Sequence, residues 1–89
     1  MKRIVVLGAG ESGTGSAVLA KVKGFDVFLS DKGQIAPKYL ELLSKWDIPF
    51  EQGGHTESLI LNADEVIKSP GIPGDNPLVV KLAEQGTPV

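Results

Sequence analysis

The chain contains no cysteine and only one histidine, His55. Disulfides, thiolate nucleophiles and cysteine-bound zinc are excluded, and a histidine with no second beside it makes no transition-metal set. Charge of one sign is lacking too. Nine Lys and Arg stand against eleven Asp and Glu, a formal charge of −2, so no basic face advertises nucleic acid. Long apolar runs are missing: Ile4–Leu7 and Leu78–Val80 fall far short of a bilayer span, and Met1-Lys2-Arg3 leads straight into a strand rather than a signal-peptide core. The expected compartment is therefore the cytoplasm. There is no G-x-x-x-x-G-K-[ST] loop for ATP, and GESGT misses the G-x-S-x-G nucleophile elbow at its last position. No constellation able to run a reaction remains.

What is present reads as one soluble globular domain, with 42% hydrophobic and 22% charged residues in 89. A chain of this length buries only about 60 to 65% of its unfolded surface. Strand-like segments begin near Arg3, Asp26, Pro49, Asp64 and Thr87, and the stretches between them carry apolar residues at helical spacing. The first helix is expected over about 12–23, with small residues Gly13, Ala17 and Ala20 toward a sheet and Gly24 as its stop. The second, about 36–46, has Pro37 in its first turn and Leu40 and Leu43 on its apolar face, with Trp46 a candidate third member. A short third helix covers about 56–61. A fourth starts at Asn76 as N-cap with Pro77 at the first helical position, and ends before Gly86. This βαβα alternation predicts an α/β, Rossmann-like parallel sheet of about five strands with helices on both faces. The last strand, at Thr87-Pro88-Val89, is expected to be truncated, as in a fragment of a longer protein.

Three stretches carry candidate chemistry. In IVVLGAGESGTGS, Gly8 permits a tight exit from the strand, Gly10 lets backbone approach a pyrophosphate, and Gly13 lets the helix pack on the sheet. The free N–H groups and positive dipole end of the helix then face an anion. A Rossmann-like turn that binds nothing is the bland alternative. A Glu11 carboxylate must point to solvent to tolerate a diphosphate there. Ser12 has two readings, a hydroxyl for the phosphate or a helix cap. Asp31, in FLSDKG, lies 18 residues beyond Gly13, where the dinucleotide fold places an acid on a ribose, although an ordinary turn acid is the other reading. In VIKSPGIPGDNP, Ser69-Pro70-Gly71 follows the fourth strand and offers bare backbone at the edge where such sheets bind ligands, or is simply a loop before a helix. His55 is expected to cap or pack, and the aromatic residues are assigned no function.

The ordered set GAGESG, LSDKG, GGHTESL and ADEVIKSPGIP resembles the N-terminal domain of the Mur ligases, on the branch that adds D-glutamate in peptidoglycan synthesis. The resemblance covers essentially all of the chain. It implies a domain, residues 1–89, that holds the UDP part of UDP-N-acetylmuramoyl-L-alanine. On that resemblance Gly10 and the backbone of Glu11, Ser12 and Gly13 would meet the diphosphate, Asp31 and Lys32 would lie by the uracil, and Gly71 would offer backbone to its other side. It further implies an ATP-dependent, magnesium-assisted amide ligation through an acyl phosphate. The ATP, metal and D-glutamate sites would lie in central and C-terminal domains outside this chain, which alone would be inactive.

Two other readings compete. A dinucleotide-binding module of a dehydrogenase or regulatory protein would take NAD, but rests on the glycine turn and Asp31 and leaves SPGIP unexplained. A structural α/β domain would mediate contacts between domains only.

Overall fold

The computed structural model describes residues 1–89. In β1, Arg3–Leu7, alternate side chains leave opposite faces of a strand, and here both sets are apolar from Ile4 onward. Ile4 and Val6 join Val27, Leu29, Ala17, Ala20 and Leu43 in a core on one face; Val5 and Leu7 join Phe28, Val66, Ile60, Leu78 and Leu82 on the other. A strand buried on both sides needs cover on both sides.

That cover comes from four helices. α1, Glu11–Val22, and α2, Pro37–Lys45, supply the first core, whereas α3, Glu57–Ile60, and α4, Pro77–Glu84, supply the second. Local chemistry marks their ends. Asn76 accepts the Leu78 N–H at 2.9 Å as the N-cap of α4, and Pro77 occupies the first turn, where an N–H has no intrahelical acceptor. On α2, Leu43 is buried and Leu40 packs against its core, but Trp46 is the exposed C-cap residue, so the apolar face ends one turn earlier than its widest expected extent.

The other strands are β2, Asp26–Asp31, β3, Phe50–Gln52, and β4, Glu65–Lys68. All pair in parallel, in the order β3-β2-β1-β4. The chain thus winds outward from β1 to β3, then returns to the opposite side of β1 for β4. This places a topological switch point between β1 and β4, where the loops leaving the carboxyl ends diverge.

The sheet has four strands rather than about five. Residues Thr87 to Val89 make one ladder-like bond, Val66 N–H to the Pro88 carbonyl at 2.8 Å, and form no strand. Pro88 has no N–H to donate, which leaves too few bonds for a ladder. No helix is long and apolar enough to cross a membrane.

Candidate functional site

The loops leaving β1, β2 and β4 enclose a cleft of about 320 Å³ at the carboxyl edge of the sheet. Twelve residues line it, among them Gly8, Ala9, Gly10, Asp31, Lys32, His55, Ser69, Gly71 and Asn76, and only two of the twelve are hydrophobic. This is the low end of the size range of small-molecule sites.

The glycine turn is built from three different constraints. Gly8 has φ +101°, a conformation that L side chains rarely adopt, and a Cβ there would meet Ser69 Cβ at 2.8 Å. Its N–H reaches the Ser30 carbonyl at 2.9 Å while Ser69 N–H reaches that of Leu7 at 2.9 Å, so β1 is tied to both neighbours just where it ends. At Gly13 a Cβ would lie 1.9 Å from the Gly8 carbonyl oxygen; only a hydrogen lets α1 sit this close to the strand exit. Gly10 differs from both. A Cβ there would meet no atom within 4 Å, and φ is an ordinary −74°. Nothing in the protein fills the space that Gly10 leaves open beside the cleft.

Above Gly10 stands the amino end of α1. The first backbone bond is Thr14 N–H to the Gly10 carbonyl at 2.9 Å, and the N–H groups of Glu11, Ser12 and Gly13 find no acceptor in the chain. Three donors and the positive end of a twelve-residue helix therefore meet at one point, which is chemistry suited to an anion. Glu11 and Ser12 are exposed, and no side chain caps the helix, so the capping role open to Ser12 is not taken.

Asp31 closes the other side. One carboxylate oxygen accepts the Ala9 N–H at 2.9 Å and the other the Gly33 N–H at 2.8 Å. The side chain thereby clamps the β1 loop to the β2 loop across the cleft floor. Each oxygen keeps acceptor capacity for a ligand donor. Lys32 is exposed beside it, and Gly71 is exposed on the β4 loop opposite. Of the residues singled out in the sequence, Gly10, Asp31, Lys32 and Gly71 line the cleft directly. Glu11, Ser12 and Gly13 are not among the lining residues; they follow Gly10 at the amino end of α1, and Gly13 is itself buried.

One group was not legible beforehand. His55 neither caps α3, whose N-cap is Thr56, nor packs into a core; it lines the cleft with Nδ1 2.6 Å from the buried Ser30 hydroxyl. Ser30 in turn donates to Glu51 at 2.8 Å, and Glu51 also accepts from the Thr56 N–H at 2.8 Å and its hydroxyl at 2.6 Å. Burial pushes the Glu51 carboxyl up, but the hydrogen bonds from Thr56 and Ser30, with the charge of His55, outweigh it and hold the group below its ordinary value. The signal that unites these residues is the β2–β3 register, which sets Ser30 directly against Glu51.

With this geometry the chain is similar to several known proteins. It is 68% identical over 89 residues to the "UDP-N-acetylmuramoylalanine--D-glutamate ligase" of Bacteroides thetaiotaomicron, which covers 100% of this chain and 20% of the relative. A relative of the same name from Bacteroides fragilis is 66% identical with the same coverage. The chain thus spans about a fifth of the length of these curated relatives. Among solved structures, a ligase from Neisseria meningitides described as UDP-N-acetylmuramate:L-alanyl-gamma-D-glutamyl-meso-diaminopimelate ligase superposes with a TM-score of 0.80 at 24% identity, over 99% of this chain and 28% of that one. At that identity it supports the fold. A transhydrogenase from Sinorhizobium meliloti superposes less well, with a TM-score of 0.57 at 25% identity over 82% of this chain and 21% of that one. The family model described as "Mur ligase MurD-like, N-terminal domain" matches residues 2–89, and the chain belongs to that family.

Proposed function

We propose that this chain is the UDP-binding domain of a D-glutamate-adding Mur ligase, and that its cleft holds the UDP part of UDP-N-acetylmuramoyl-L-alanine during peptidoglycan synthesis. The observation that carries the reading is the unfilled space at Gly10 beneath three unpaired N–H donors, on a chain 68% identical to a ligase of that name. The diphosphate takes the N–H groups of Glu11, Ser12 and Gly13. The uracil lies between the Asp31–Lys32 loop and the Gly71 backbone. Asp31 acts first as a clamp on the two loops, and its remaining lone pairs face the base.

Within a full-length ligase the reaction is amide formation driven by ATP with magnesium, carried out in the central and C-terminal domains of such a protein. This chain's own residues fit neither group. The P-loop sequence is absent, and no three His, Asp or Glu side chains come together to hold a metal ion. Its part is to bind and orient one end of the substrate, and it catalyses nothing alone.

An NAD-binding module is the rival reading, favoured by Asp31 at the end of β2 and by the transhydrogenase likeness. A titration followed by backbone-amide NMR separates the two. UDP and UDP-N-acetylmuramoyl-L-alanine are expected to shift Glu11 to Gly13, Asp31 and Gly71, with NAD leaving them in place. Shifts with NAD alone would replace this reading by the dinucleotide one.

A further inference from the structure

Ser30 is wholly buried, and its hydroxyl stands between Glu51 Oε2 at 2.8 Å and His55 Nδ1 at 2.6 Å. A serine has one proton to give, and a carboxylate can only accept. The Glu51 contact therefore consumes the Ser30 proton, because the Gly54 carbonyl, at 3.5 Å, is too distant to compete. It follows that His55 is the donor to Ser30, with its own proton on Nδ1. Both Thr56 bonds to Glu51 hold the carboxylate in place to receive from Ser30. In the neutral ring Nε2 is then a bare acceptor. It has no partner in the chain, and the ring lines the cleft together with Asp31, Lys32 and Gly33.

We infer that His55 is a ligand-contacting residue of this cleft, positioned through Ser30 and Glu51 to accept a hydrogen bond from the nucleoside part of the ligand. The inference rests on the uridine-nucleotide reading above and adds to it the group that answers a nucleoside donor, either the base N–H or a ribose hydroxyl. The division of labour is chemical. The amino end of α1 offers only donors, which suit phosphate oxygens, whereas the end of the cleft near β2 and β3 offers an oriented acceptor.

Long-range ¹H–¹⁵N correlation of the imidazole, recorded on the ligand-free chain at mildly alkaline pH, reads its tautomer directly. The proton is expected on Nδ1, and in Ser30→Ala that preference should be lost; a proton on Nε2 in the unaltered chain would overturn the inference. UDP and inorganic pyrophosphate are then added separately. UDP should move both the Nε2 signal and the Glu11 to Gly13 amides, and pyrophosphate the amides alone. If UDP moves the amides but leaves Nε2 unchanged, the inference fails while the uridine-nucleotide reading stands; if UDP moves neither, that reading fails and takes the inference with it. The 3-methyluridine and 2′-deoxyuridine diphosphates tell base from ribose, since the donor is the group whose removal abolishes the Nε2 shift. His55→Ala should weaken UDP about three- to tenfold and leave pyrophosphate unaltered. An equal loss for both ligands would reduce His55 to a structural role.

Discussion

Two glycines of one turn, five positions apart from first to last, are required for unlike reasons. Gly8 and Gly13 are demanded by the protein itself, one by a left-handed φ and the Ser69 side chain, the other by the Gly8 carbonyl. Gly10 is demanded by nothing inside the chain. Gly13→Ala is therefore expected to cost roughly 3 kcal/mol, as overpacking against rigid backbone does, and thermal unfolding would register it. Gly10→Val should still fold, with Tm lowered only by the loss of a favoured N-cap residue, and should lose UDP affinity in calorimetry, because the side chain enters the space proposed for the diphosphate. A Gly10→Val chain that binds UDP normally would remove the turn from the site. Asp31→Ala is expected to weaken UDP and also to loosen the Ala9 and Gly33 amides in hydrogen exchange, since both depend on that carboxylate. The roles of Gly8 and Gly13 were legible in the spacing. The Asp31 clamp was not, because a carboxylate at a strand end looks the same in a sequence whether its partners are two backbone amides or a ligand.

At the scale of elements, start and stop signals were the most readable feature. Asn76-Pro77 opens α4 as expected, and Asn76→Ala should cost about 1 kcal/mol, measured by denaturant unfolding. Strand β3 is only three residues long, and its side chains gain their meaning from pairing with β2. Glu51 on β3 illustrates the consequence for pH. Its carboxyl is held below the ordinary value of 4.5, so the charged form is bound more favourably in the folded chain than in the unfolded one. Such a group contributes stability above its unfolded titration, and that contribution is lost as pH falls through the lower folded value. Glu51→Gln should accordingly flatten the acid limb of a Tm-against-pH curve, with little change in slope above pH of about 6. An acid limb identical in the two proteins would show that the Thr56 and Ser30 bonds do not favour the charged form.

Across the whole molecule, one four-stranded sheet divides two cores, and each face depends on a few large side chains. Leu43 and Leu82 are fully buried on opposite faces. Truncating either to alanine should cost about 2 to 5 kcal/mol. For a domain this small, with a total stability of roughly 4 to 13 kcal/mol, either change is enough at the lower end of that range to unfold much of the population. The outer edge of β4 carries only the Val66–Pro88 bond, where the sequence pattern had suggested another strand. Hydrophobicity and turn chemistry in the sequence by themselves determined the α/β class, the helix ends, the glycine turn and the family, because these depend on neighbours within a few residues or on an ordered set of short motifs. Only the tertiary structure decided that Asp31 clamps two loops and that Ser30, Glu51 and His55 form one chain of hydrogen bonds. The long-range contacts among these join residues 21 to 25 positions apart, and they exist because parallel pairing of β1, β2 and β3 in one register brings their carboxyl ends to the same edge.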